Sequence, residues 1–454
     1  MNKDSRISRR TFLQLSAGFG MLAGLGRLTG VEAANDYKAL VCVFLLGGND
    51  GHNMVVPLAP PQYAAYSQAR PGLALGPGQL LNINDGVQGP FGFHFSMPEL
   101  QSLYNQGKLA VLSNVGMLVQ PTSYSNQNNP GFPLPLNLRS HQDQVTQMQT
   151  GFPNSSGSNG WGGRCVDLMQ SVYNYNAGSQ FPPSISMNSP ALFCAGALVP
   201  GTSLQPGNYM SQNAAGLWPA SAGQARLNAE QQIVTTLTGN TIMDDGNRSL
   251  NNALKLSPIL AAAANTTNFA KPFPSTSLGN QLKEIAHVIS LNAQVGVGRQ
   301  VFFCSLGAFD THGGQSWQQQ DNLQQVSQAL DAFYAATGQL GLAQQVTTFT
   351  LSDFGRTLTT SGSGTDHGWG NHHLILGGAV NGGKFYGRFP LMTNFPNFNS
   401  TADDFSDGRG VMLPSTSLAQ YGSTLAQWFG AADGDLNGLF PTLANFSVRN
   451  VGFV

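Results

Sequence analysis

The chain has 454 residues, only 9% of them Asp, Glu, Lys or Arg, and a formal net charge of -1. So weakly charged and balanced a sequence carries no electrostatic footprint for nucleic acid or an anionic membrane surface. Its length allows one large domain or two ordinary ones with a well-buried core, and four cysteines are too few for a disulfide scaffold.

At the N-terminus, Ser8-Arg9-Arg10-Thr11-Phe12-Leu13 sets two arginines before a mildly apolar, Gly-rich run to Leu28. Val31-Glu32-Ala33-Ala34 then follows at the distance where a signal peptidase cuts. Residues 1–34 are therefore expected to be a twin-arginine signal peptide, read by the twin-arginine translocase and signal peptidase. The mature chain, 35–454, is expected to be periplasmic or secreted. An uncleaved anchor is the alternative, against which Gly18, Gly20, Gly24 and Gly26 interrupt a short run. No later stretch offers about 18 uninterrupted apolar residues, so no integral membrane span is expected in the mature chain.

Ala39 to Leu46 is a continuous apolar run ending at Gly47-Gly48-Asn49-Asp50-Gly51, the pattern of a central strand followed by a tight loop. The layout recurs at Leu109 to Leu112, Val301 to Leu306 and Val346 to Leu351, with helical periodicity clearest over Leu282 to Leu291 and Leu323 to Phe333. Strands alternating with helices predict an α/β fold, a mainly parallel central sheet flanked by helices. From Gly151 to about Lys271, Asn, Ser, Gly and Pro dominate, which reads as a loop-rich insertion or cap. Leu413 to Phe440 contains a helix through Leu425, Trp428 and Phe429 that closes the domain. Cys42 and Cys304 read as packed thiols, whereas Cys165 and Cys194 could pair in an oxidising compartment.

Of eight histidines, five lie in short Gly-rich segments that also hold aspartates. These are Gly48-Asn49-Asp50-Gly51-His52, Phe309-Asp310-Thr311-His312-Gly313-Gly314 and Asp366-His367-Gly368-Trp369-Gly370-Asn371-His372-His373. Ser352-Asp353-Phe354-Gly355-Arg356 follows another strand. Ligands in open α/β sheets bind beyond the carboxyl ends of the strands, where such loops can meet. Carboxylate with imidazole suits a divalent metal, and a pair of metals about 4 Å apart would serve phosphoryl or sulfuryl transfer.

Each candidate has a bland counterpart. Asp50 could be a turn former and Asp353 a helix cap. Of His367, His372 and His373, His367 is the favoured ligand; His94 and His287 read as structural. In Leu138-Arg139-Ser140-His141-Gln142-Asp143, Ser140 is a nucleophile candidate, although Ser140 with Asp143 also matches a capping box. Arg139 or Arg356 could hold a phosphate or sulfate oxygen.

These segments, with the twin-arginine start and the closing stretch Leu413 to Gly430, resemble the secreted bacterial family catalogued as domain of unknown function 1501. That family is distantly similar to the alkaline phosphatase and sulfatase superfamily, which implies an alkaline-phosphatase-like fold with one or two metals at the carboxyl edge. The resemblance implies Asp50 as the first-strand metal aspartate, Ser140 as nucleophile, and Asp310, His312, Asp353 and His367 as metal residues. Phe354 stands where the superfamily has a ligand histidine, and Asp310 and His312 are closer than its usual spacing. One metal site is thus weakened, remodelled with His52 or His141, or absent.

The expected function is an exported, metal-dependent hydrolase of phosphate or sulfate esters, small or glycan-borne, with Ser140 attacking. The cofactor would be zinc, manganese, calcium or magnesium. The rival readings are a non-catalytic metal-binding module that recognises glycans or an envelope partner, and a cell-envelope transferase with the same nucleophile.

Overall fold

The computed structural model describes residues 36–154, 157–179, 181–207, 218–236, 238–395 and 403–454. The expected signal peptide and its cleavage site lie outside the described residues. No helix among the described residues is long and apolar enough to cross a membrane.

In chain order the strands are β1 (Lys38–Leu45), β2 (Val55–Pro57), β3 (Leu80–Asp85), β4 (Gly89–His94), β5 (Leu109–Gly116), β6 (Ser184–Met187), β7 (Thr202–Leu204), β8 (Arg299–Leu306), β9 (Val346–Ser352), β10 (Asn371–Gly377), β11 (Phe385–Tyr386) and β12 (Thr416–Ser417). The main sheet runs β11-β5-β10-β9-β1-β8-β6-β7, with β12 also pairing β5. It is mixed but mostly parallel, since only β10 runs against its neighbours β5 and β9. The predicted α/β sheet is therefore present, with the one reversed strand as a feature the apolar runs did not reveal.

Strand β1 shows why its sequence is apolar without alternation. Val41, Val43 and Leu45 point into one core with Leu282, Ile285, Leu323 and Phe333 of the helices Ser277–Ser290 and Gln315–Gln339. Leu40, Cys42 and Phe44 point into the other, with Trp161, Cys165 and Tyr421. Helices cover both faces, so every position must be apolar. Each such large side chain contributes about 1.5–3 kcal/mol by leaving water.

Two expectations change. The stretch from 151 to 271 is not purely loop: β6 and β7 extend the main sheet in parallel, and the helices Trp161–Ser171, Gly223–Val234 and Thr241–Thr266 fall within it. Ser184-Ile185-Ser186-Met187 is too short and polar to announce a strand, yet all four residues are buried. Cys165 and Cys194 are free thiols rather than a disulfide. Both are buried in the second core, where loss of water pushes each thiol up to about 12. Separately, β2, β4 and β3 form a small antiparallel sheet.

The arrangement fixes where the site loops begin. Leu45 is in register with Leu306 on one side and with Ser352 on the other. Strands β1, β8 and β9 thus end at one level, and the loops bearing Asp50, Asp310 and Asp353 start side by side.

Candidate metal centre

Gly47 lets two of these loops meet. Its φ is +115°, and a β-carbon there would lie 2.3 Å from the Asp310 backbone nitrogen, so only glycine permits the contact. On the other flank, the Gly47 amide donates to Asp353 Oδ1 at 3.0 Å.

His141 opens the helix His141–Thr150, which Ser140 caps. Its Nδ1 lies 2.7 Å from Asp353 Oδ2 and its Nε2 lies 3.1 Å from His367 Nε2. His312 Nε2 is 2.9 Å from the same His367 atom. The Asp310 carboxylate completes the group, 3.0 Å from His312 Nε2, 3.4 Å from His367 Nε2 and 3.5 Å from His141 Nε2. His141, Asp310 and His367 can each offer one ligand atom within 4.8 Å of the others. The group is open to solvent on one side, with the Asp310 side chain 46% exposed.

The outer faces of the rings decide what the inner nitrogens can do. Asp353 accepts from His141 Nδ1, and the Arg139 carbonyl accepts from His367 Nδ1 at 2.8 Å. Acceptors at both places require both Nδ1 atoms to carry hydrogen, so in neutral rings both Nε2 atoms present lone pairs. Two lone pairs 3.1 Å apart repel unless a positive charge lies between them. Histidine ligands with their second nitrogen held by a carboxylate or carbonyl are the usual form of a metal centre. Asp366 Oδ1, 3.4 Å from His312 Nδ1, stands in the corresponding place for the third ring. Arg139 has φ +72°, a left-handed backbone uncommon for a non-glycine residue.

The surrounding charges act differently on the members of this group. The hydrogen bond to Asp353 raises His141 above the ordinary imidazole value, against the effect of burial. Burial lowers His367, its largest influence, and His141 and Arg356 push the same way. Burial alone would raise Asp310, but Arg356, His141 and His312 outweigh it and keep the carboxyl below its usual range.

The remaining candidates surround the centre. Arg356 is fully buried and turns both terminal nitrogens to Asp310 Oδ1, at 3.0 and 3.1 Å, so its guanidinium faces a carboxylate of the protein. Arg139 pairs with Asp407 at 2.7 Å. Asp50 stands apart: Arg70 and Gln315 hold its oxygens and the His52 amide donates to Oδ1 at 3.1 Å. His52 is buried against Phe405, and burial holds it well below the ordinary value. Ser140 Oγ donates to Asp143 Oδ2 at 2.7 Å, one residue before His141. Phe354 packs its ring on both His141 and His367, with centroids 4.7 and 4.8 Å away. The structure thus gathers Asp310, His312, His367 and His141 with Asp353 behind them, and keeps Asp50 and His52 outside. Asp366 lay in the segment read from the sequence but was not singled out there as the partner of His312.

Residues 37–396 match the family model described as Protein of unknown function (DUF1501). The chain belongs to that family. No curated protein matches it. Among solved structures, Ps i-CgsB is similar at 10% identity and a TM-score of 0.36, over 91% of this chain and 77% of that one. The C-terminal periplasmic domain of EcEptC from Escherichia coli, in complex with Zn, is similar at 13% identity and 0.33, over 89% and 85%. PsFucS1 sulfatase from Pseudoalteromonas sp. is similar at 10% and 0.32, over 85% and 74%. Likenesses this slight carry no weight for the function of this DUF1501 chain, which has to be read from its own centre.

Proposed function

We propose that this chain is an exported hydrolase of phosphate or sulfate esters, built around a divalent cation held by His141, His312, His367 and Asp310. The observation that supports it most is the meeting of His141 and His367 Nε2 at 3.1 Å while both outer nitrogens are engaged as donors. Three imidazoles with one carboxylate suit zinc or manganese; calcium and magnesium prefer oxygen donors. A bound cation would polarise an ester oxygen and lower the pKa of water.

The protein's own groups have distinct tasks in this reading. Asp353 and the Arg139 carbonyl keep the Nδ1 protons in place and aim the two rings. Arg356 fixes Asp310 from behind and offsets its charge. Ser140 is the nucleophile: its hydroxyl proton passes to Asp143, 2.7 Å away, as the oxygen attacks phosphorus or sulfur and the ester's bond to its alcohol breaks. The alcohol leaves with that proton, and water then cleaves the seryl ester to release phosphate or sulfate and restore the serine. The free amides at the start of the helix His141–Thr150 favour an anionic substrate there. The twin-arginine motif Arg9-Arg10 supports export, with residues 1–34 removed and 35–454 working outside the cytoplasm.

The bond from Ser140 to Asp143 also favours a second reading, in which the serine only caps its helix and the centre binds metal without turnover. Elemental analysis of the purified mature protein and hydrolysis of aryl phosphate and aryl sulfate separate the two. The enzyme reading expects bound metal in both native and Ser140→Ala protein, with turnover falling at least about a thousandfold in the variant. Bound metal and no ester cleavage by native protein selects the binding module. Absence of metal after supply of zinc and manganese sinks both.

A further inference from the structure

A cavity of about 250 Å³ has three walls, two of which continue loops that build the site. One wall is Pro71 to Leu73, directly after Arg70, whose guanidinium holds Asp50. The second is Gly314 to Trp317, directly after His312. The third is Gly362 and Ser363, on the hairpin that leads to Asp366 and His367. Short hydrogen bonds lock the last two together: Gly314 N to Ser363 Oγ and Gln315 N to Ser363 O, both 3.0 Å.

Trp317 is the unusual member. The helix Gln315–Gln339 turns Gln315 inward, where it holds Asp50 and donates nothing to solvent, while Trp317 two positions on is 68% exposed. The nitrogen edge of the indole lies close to Gly314. Gly314 has φ +61°, and a β-carbon there would stand 2.6 Å from Trp317 Nε1, so glycine is what allows the ring to lie against this turn. The result is a flat apolar face, a polar rim with Ser316 and Ser363, and glycine walls, all in a space below the roughly 300–1,000 Å³ of pockets for drug-sized ligands. There is room for one ring.

We infer that this cavity is a sugar subsite: a hexopyranose stacks its apolar C–H face on Trp317 and presents an anionic ester substituent to the neighbouring centre. An amphipathic aromatic ring with one wet face matches a sugar, which is apolar on its faces and polar around its edge. Serine hydroxyls and exposed loop backbone supply partners for that edge. The inference deepens the ester hydrolase reading by naming its substrate class, and it rests on that reading for the ester alone.

Saturation-transfer NMR on the zinc-supplied mature protein tests it, with glucose 6-phosphate and glucose 6-sulfate as probes and inorganic phosphate as a competitor whose affinity is read from the loss of sugar signal. Native protein should saturate the ring protons of both sugars and bind them more tightly than inorganic phosphate. Trp317→Ala should weaken sugar binding about tenfold or more, as loss of an aromatic anchor does, and Trp317→Phe should recover part of it. Zinc content should be equal in all three proteins. Equal sugar binding by native and Trp317→Ala protein overturns the subsite, as does inorganic phosphate binding as tightly as the sugars. Should native protein hold no zinc while sugar binding still depends on Trp317, the metal reading fails and the subsite stands.

Discussion

His367 and His372 belong to one segment, yet they have opposite surroundings. The His367 ring is partly open to solvent, with Nδ1 held by the Arg139 carbonyl and Nε2 facing two other imidazoles. His372 is sealed in β10, stacked on Phe389 at 4.5 Å, and its Nδ1 accepts from the Asn114 amide. His373 beside it packs on Tyr421. Burial pushes His372 well below the ordinary imidazole value and His373 down to about 3. What separates a candidate ligand from a packing imidazole is therefore where its second nitrogen is tied. On the loops the outer nitrogen donates and frees the inner lone pair, whereas in the sheet the ring serves as a neutral packing element.

The largest test of this contrast is loss of metal-dependent stability. A ligand at 1,000 times its Kd stabilises a protein by about 4 kcal/mol. That gain, read as a rise in melting temperature on adding zinc, should appear in native and His372→Phe protein and vanish in His367→Ala. An equal loss in both variants would erase the distinction between loop and sheet histidines. A smaller effect isolates the outer partner. Asp353→Asn keeps the shape of the side chain but weakens its hold on the His141 Nδ1 proton, so zinc affinity should fall roughly 10- to 100-fold in a chelator competition.

The last test concerns the sheet side alone. His373 has a folded pKa of about 3 against an ordinary 6.5. The unfolded chain therefore binds a proton that the folded chain refuses across that interval. Stability is full above pH 6.5 and falls with acid by about 1.4 kcal/mol per pH unit down to about 3. Urea midpoints at pH 7, 6 and 5 should show this slope, and His373→Phe should flatten it by one proton's worth. An unchanged slope would mean that His373 titrates normally and that burial is not what sets its state.

The two regions also differ in how far the sequence exposes them. Strands β1 and β8 were legible because burial on both faces demands apolar runs, and β9 because its Val, Thr, Phe and Leu are β-formers. The Asp310 and His367 loops were legible because acid and imidazole beside glycine have little packing value. His141 was legible only as one of two residues, with His52, that could remodel a metal site, because the capping pattern of Ser140 and Asp143, itself present in the fold, explains the segment without a ligand. Asp50 looked like a ligand because nothing at Arg70 announces a buried ion pair with it. The strands β6 and β7 were missed because short, Ser-rich segments borrow their burial from neighbours. Phe354, a departure from the resembling pattern, turned out to support two imidazoles from the apolar side.

Reversal of β10 has one more consequence. Because β10 lies antiparallel beside β9, residues 353 to 370 form a single connection that leaves and re-enters the sheet at adjacent places. It is stitched internally by the Arg356 and His367 bridge. A segment clamped at both feet and across its waist has little freedom to swing, so a cation arriving at His367 would meet a socket already shaped for it. The entropy of ordering that loop is then charged to folding and not to binding.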